Sequence, residues 1–166
     1  METKNCILKC VSGEEALMVK NNSKEIIAAA TKVFAVIDSE FNSYDLRVCE
    51  QENHERRVAV YEMVKGNDLN FEKIFTSFNV SLQKIIMTQS QIIDFCRRHP
   101  KHLHKHGLAT LFLLEKYSGL RAEYSVVRVF IGCNGALSIV SASLWDKTIW
   151  RGGVRRRVVI PYPWLF

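Results

Sequence analysis

The chain has no run of 18 apolar residues, so no stretch of it is expected to span a bilayer as a helix. Its first residues set Glu2, Lys4 and Lys9 around a very short apolar piece, which does not read as a secretory signal, and the expected location is the cytoplasm. Cys-x-x-Cys pairs are missing. The five cysteines (Cys6, Cys10, Cys49, Cys96 and Cys133) are an odd number, and Cys6 and Cys10 are the closest two, which excludes a disulfide framework or a structural zinc site as the organising device. There is no phosphate-binding glycine loop and no dinucleotide fingerprint; Gly152-Gly153 is an isolated pair that reads as a turn, and no cofactor is expected. RNA-recognition, KH and helix-turn-helix signatures are absent as well. Acidic residues are scarce in the second half. Residues 1–79 hold 13 Asp/Glu against 10 Lys/Arg, whereas residues 80–166 hold 4 against 13. A net charge of +6 is thus concentrated in one half, which points to an acidic partner for that half, nucleic acid being the commonest.

What is present is a globular composition, with 48% hydrophobic and 24% charged residues in 166, expected to form one domain: an acidic, helix-containing part over 1–79 and a basic helix with a sheet over 80–166. The organising stretch is Leu108 to Pro161. Asn134-Gly135 between apolar runs predicts a two-residue type I′ hairpin, which sets Cys133 opposite Ala136, Ile131 opposite Ser138 and Val129 opposite Val140. Ser118-Gly119 predicts a second tight turn, with Leu113 opposite Tyr124, and Arg151-Gly152-Gly153 a third break. Four strands follow, over 108–117, 120–132, 136–150 and 154–161, the third long enough to bulge near Asp146. By the two-residue period one face carries Phe112, Leu114, Val127, Val129, Ile131, Val140 and Leu144. The other carries Leu111, Leu113, Tyr124, Val126, Phe130, Leu137, Ile139 and Trp145. Both faces are apolar, so the sheet is expected to be covered on both sides.

Earlier in the chain, residues 6–11 predict an edge strand and Glu14–Lys20 a turn of helix. Asn22 and Glu25 sit in capping-box positions ahead of Ile26, Ile27, Ala30, Val33, Phe34 and Ile37, which recur at helical spacing and predict a helix over 23–37. At its end, Val36-Ile37-Asp38-Ser39-Glu40 has the hydrophobic-x-Asp-x-Glu form of a metal-dependent exonuclease. That chemistry needs the carboxylates on a strand and more of them downstream, and the alanine-rich helical pattern favours a solvated helix end. Residues 41–53 read as loop, residues 56–65 as a strand ended by Gly66-Asn67-Asp68, and Phe71, Ile74, Phe75 and Phe78 as one face of a short helix. Thr88 and Gln91 form a capping box for a helix over 89–98 that Pro100 stops.

The pattern Gln91-Ile92-Ile93-Asp94-Phe95-Cys96, His99-Pro100 and Gly107-Leu108-Ala109-Thr110-Leu111-Phe112-Leu113-Leu114, with Trp150 and Arg155 to Pro161, resembles a group of short uncharacterised bacterial proteins. The resemblance covers roughly the last half of the chain. It implies a shared fold and carries no active site across.

Three constellations are candidates for chemistry. On a strand, His102, His104 and His106 would share one side, and three imidazoles can hold zinc, nickel or copper; Lys101 and Lys105 beside them repel a cation, and no carboxylate base lies close in sequence. The basic set is Arg97, Arg98, Lys101, Lys105, Arg151, Arg155, Arg156 and Arg157, with Trp145, Trp150, Tyr162 and Trp164 as aromatic neighbours. If the last strand lies at an edge, Arg155 and Arg157 on one face and Arg156 on the other could track a phosphate backbone, or discourage edge-to-edge aggregation. Cys96 and His99, one helical turn apart, are a conceivable nucleophile–base pair without an orienting group. The expected fold is α+β, an antiparallel meander of four to five strands covered by two or three helices. The expected role is a non-enzymatic binding module whose basic half meets nucleic acid. The alternatives are a protein-interaction or inhibitor protein that docks or dimerises through an apolar sheet face and the aromatic C-terminus, and a small metal-dependent enzyme at the histidines.

Overall fold

The Asn-Gly signal does make a hairpin, but of another type. In the computed structural model, which describes residues 7–22, 24–43, 55–64, 68–105, 107–118, 121–150 and 155–162, Gly135 alone in this turn has a positive φ, +79°. Gly135 N donates to Gly132 O (2.9 Å), Gly132 N donates to Ala136 O (2.8 Å), and the Asn134 side-chain oxygen accepts from Ala136 N (3.0 Å). This is a three-residue loop with a glycine bulge, and it pairs Ile131 with Leu137 and Val129 with Ile139. The expected register is off by one, and a one-residue slip turns every side chain of the strand over. Leu137 and Ile139 therefore join Phe112, Val127 and Val129, while Val140 and Leu144 go to the other face. The preceding hairpin slips by two, pairing Leu113 with Val126 and closing at Ser118 and Arg121, so its faces stay as expected.

The strands are β1 (Leu8–Cys10), β2 (Leu17–Lys20), β3 (Phe34–Ile37), β4 (Glu55–Met63), β5 (Thr110–Ser118), β6 (Arg121–Ile131), β7 (Leu137–Ser143) and β8 (Arg157–Pro161); the helices are α1 (Phe71–Thr76) and α2 (Gln89–Arg98). All eight strands lie in one sheet of order β1-β4-β8-β5-β6-β7-β3, with β2 pairing β4 beyond β1. The antiparallel meander is thus overturned: the sheet is mixed and twice as large. Only β5–β6–β7 follows the expected path. β8 does not return beside β7 but enters between β4 and β5, antiparallel to the first and parallel to the second. Its Val158, Val159 and Ile160 are fully buried, one on the α2 side and two on the α1 side, and a strand apolar on both faces belongs at the centre of a sheet.

The helix expected over 23–37 is absent among its described residues. One 3-10 turn covers Ile27–Ala29, and Phe34–Ile37 is the edge strand β3, parallel to β7. Val33-Phe34-Ala35-Val36-Ile37 is β-branched and aromatic, and strand pairing beats the helical spacing of its apolar residues. Residues 17–20 are strand β2, not helix; β1 and β2 together make one broken edge against β4, and in the break the Ser12 hydroxyl accepts from Val60 N (3.0 Å). The third predicted strand stops at Ser143 rather than running on through a bulge at Asp146. The strand over 55–63, the short helix at 71–76 and the capped helix at 89–98 agree with expectation, the last with Thr88 and Gln91 making both bonds of the capping box.

Two cores result, one on each face. On one side α2 lays Ile92, Ile93, Phe95 and Cys96 on Val58, Phe112, Val127 and Val159. On the other, α1 lays Phe71, Ile74 and Phe75 on Leu111, Leu113, Val126 and Val158. No helix among the described residues is long and apolar enough to cross a membrane.

Candidate partner-binding site

Four of the eight predicted basic residues face carboxylates of the same chain, most of them in its first half. Arg97 donates to Glu25 (2.8 Å); Arg98 reaches Asp94 (3.3 Å) and Glu55 (3.6 Å); Lys101 reaches Glu15 (3.2 Å). Arg157 lies 3.7 Å from Glu62 and donates to the carbonyls of His102 (2.9 Å) and Leu103 (3.3 Å). Exposed pairs of this kind contribute about 0–1 kcal/mol each, so they neutralise charge more than they stabilise the fold. The expectation that the last strand tracks a phosphate backbone from an edge fails for a geometric reason: β8 has strands on both sides. Arg156 does lie on the face of Val158, opposite to Arg157, as the two-residue period requires. Lys105 and Arg155 are exposed. Arg151, His106 and Trp164 lie outside the described residues.

The histidines do not converge. Pro100–His102 is a 3-10 turn rather than a strand; the His102 ring faces Glu15 (3.2 Å) and the His104 ring faces Glu62 (3.7 Å). Among the described residues no three His, Cys, Asp or Glu side chains are grouped to hold a metal. Burial pushes the Cys96 thiol far up, and the His99 ring is spent on Met18 O (2.8 Å), so this pair holds no activated thiolate. Asp38, dismissed as a helix end, in fact follows strand β3 and lines a small cleft with Thr31 and Asn42. Its carboxylate accepts from the backbone N–H groups of Glu40 and Ser141, both at 3.1 Å, which gives it a structural task.

The α2 helix likewise has a structural use for its polar side. Asp94 accepts from Lys20 N (2.7 Å), Gln89 from Ile27 N (2.9 Å), and Ser90 from Asn22 N, tying the irregular 18–27 segment to the helix.

The unspent features lie on the α1 side. Register places Arg128 between Leu111 and Val140, and in the next row Phe130 pairs with Ser138, which pairs with Val36. Phe130 and Val140 are half-buried and Val36 is 57% exposed. The segment leaving β7 crosses the same face and is pinned where Trp150 and Leu69 exchange backbone hydrogen bonds (2.8 and 3.0 Å), leaving Trp145 and Ile149 exposed at 55% and 59%. No family model, curated protein or solved structure matches this chain. The site is therefore read from its own geometry.

Arg156 stacks on Trp150 at 3.9 Å, Trp150 meets Phe71 edge-on at 4.4 Å, and Arg128 stands 6.0 Å from the Phe71 ring. Neither guanidinium makes an ion pair or hydrogen bond within the described residues, and Arg128 Nε and Arg156 Nη1 are buried without an acceptor. Burial, and then the neighbouring Arg128, push Arg156 down to about 10, which leaves it charged at neutral pH. The nearest acid by its effect is Asp146, exposed and accepting from both the backbone and the hydroxyl of Thr148. Sequence reasoning passed over Arg128. The signal was a lone arginine inside Val126-Val127-Arg128-Val129-Phe130, a strand apolar on both faces.

Proposed function

We propose that the protein is a non-enzymatic binding module that docks an acidic, partly apolar segment of a partner protein on the open end of the α1-side sheet face. The observation that carries this reading is the juxtaposition of a partly exposed apolar strip, Phe130, Val140 and Val36, with two arginines that make no ion pair among the described residues. Apolar area drives association and the arginines select for negative charge, the usual division between a contact's core and its charged margin. The protein reading moves ahead of nucleic acid because Arg97, Arg98, Lys101 and Arg157, half of the basic set, are paired with Glu15, Glu25, Glu55, Asp94 and Glu62.

Peptide display against the full chain tests it. The expected result is enrichment of sequences that combine carboxylates with aliphatic residues, with binding lost in a Val36→Asp/Val140→Asp variant that unfolds like the parent. Enriched peptides that bind this variant equally well would overturn the reading. So would a chain that sediments as a dimer through the strip, or tight, steeply salt-dependent oligonucleotide binding that depends on Lys105 and Arg155.

A further inference from the structure

Arg128 and Arg156 are close enough to act on one group. Thr110 pairs with Val129 on one side and with Arg157 on the other, so one residue earlier Ala109 lies between Phe130 and Arg156. The row across the sheet thus runs Arg156, Ala109, Phe130, and Arg128 stands two residues further along the Phe130 strand on the same face. Two strand spacings and a two-residue offset along the strand put the two backbones roughly 12 Å apart, which two arginine side chains span from opposite sides. Ala109 between them is buried, and the aromatic pair Trp150 and Phe71 adjoins both guanidinium groups, Trp150 beneath Arg156 and Phe71 near Arg128. Like charges held half-buried together are unfavourable unless something compensates them, and a buried N–H without an acceptor adds to that cost. Among the described residues neither arginine makes an ion pair, and the acid that feels Arg128, Asp146, is exposed, singly charged and bonded to Thr148.

We propose that this pair is a receptor for a dianionic phosphate monoester, borne by the docked partner segment on a phosphorylated side chain. The inference rests on the docking reading above and adds the identity of the anion. A single carboxylate would leave one positive charge uncompensated, whereas a phosphate monoester carries close to two negative charges at neutral pH and presents three oxygens to two planar donors. The apolar strip beginning at Phe130 then takes the residues beside the phosphorylated one.

The test uses the full chain, labelled so that the arginine Nε–H signals are resolved, and titrated at constant ionic strength with inorganic phosphate, phenyl phosphate and acetate. The expected result is saturable movement of the Arg128 and Arg156 signals with both phosphates, at least tenfold weaker with acetate. It should be abolished in Arg128→Gln and in Arg156→Gln, and unchanged in Arg121→Gln at an exposed position of β6. Absence of saturation with either phosphate would overturn the inference, as would acetate binding equal to phosphate, or phosphate binding that survives both Gln variants. The peptide-display result is independent of these signals. Acidic, unphosphorylated peptides that need Val36 and Val140 while phosphate fails would retain the docking site and remove only the phosphate. Loss of strip dependence with phosphate binding intact would do the reverse.

Discussion

Two groups of arginines stand on opposite faces of one sheet and have opposite fates. On the α2 side Arg97, Arg98 and Arg157 meet Glu25, Asp94, Glu55 and Glu62, and Arg157 also donates to two carbonyls. On the α1 side Arg128 and Arg156 meet aromatic rings and each other's field. Sequence charge alone ranks the first group above the second, because Arg97-Arg98 and Arg155 to Arg157 are dense and Arg128 is solitary. Density is a poor guide here. A basic cluster reports a partner only after the chain's own acids have been assigned, and a lone arginine in an apolar strand is the stronger pointer because its surroundings give it no reason to be charged.

The comparison breaks most visibly at Asp94. It is buried, accepts from Lys20 N and balances Arg98, so Asp94→Ala strands a backbone donor and leaves Arg98 only its longer contact with Glu55; the expected loss is about 3 kcal/mol in urea unfolding. The next contrast is one of sign between neighbours on the same strand. Arg157→Leu removes two bonds to carbonyls and the contact with Glu62, an expected loss of about 1–2 kcal/mol. Arg156→Leu removes a half-buried charge that nothing neutralises while retaining an apolar contact with Trp150. Its expected effect is below about 0.5 kcal/mol or stabilising, since replacing poorly compensated buried charge by apolar side chains is often favourable. Equal losses at both positions would mean that Arg156 is structurally paired and the α1-side site is not poised for an anion.

The hairpin shows how far the sequence could be read, and where it stopped. The strands flanking this turn, its position and the apolar character of both faces were legible because they follow from alternation and from glycine, but the face that each β7 residue takes was hidden. The turn subtype was not, since Asn-Gly serves both a two-residue and a three-residue loop, and that single residue decides whether Val140 is core or surface. The open strip that carries the proposed docking site exists because of this slip. The sheet order was equally illegible. Val158-Val159-Ile160 announces a strand buried on both faces but not which neighbours bury it, and β3 was hidden by alanines that fit a helix as well as an edge. The capping box at Thr88 was legible in full, because both its bonds are local. The sheet order and β3 failed because each depends on a pairing partner distant in sequence, whereas the hairpin register failed on a local ambiguity of turn length.

The smallest expected effect lies at the Glu15 corner of the α2 side. Burial is the largest influence on His102 and lowers its affinity for a proton; Glu15 opposes this, while Lys101, His99 and Arg157 reinforce it. A histidine that binds a proton less readily in the fold than in the unfolded chain contributes stability that is present above its ordinary value of 6.5 and is lost as the pH falls below it. Glu15, held below its usual 4.5 by its bond to Lys101, contributes in the same sense but at lower pH, its share being lost as pH falls beneath 4.5. The two windows are separable. His102→Gln should flatten the decline of stability just under pH 6.5 and leave the deeper acid decline in place, as read by unfolding midpoints across a pH series. Glu15→Gln removes the one group that favours the charged imidazole, so it should steepen the decline near pH 6 while weakening the one below 4.5. Neither variant should alter the Arg128 and Arg156 response to phosphate. If His102→Gln did alter it, the two arginine groups would be coupled through β8, where Arg157 and Arg156 are adjacent, and the separation of the two faces would no longer hold.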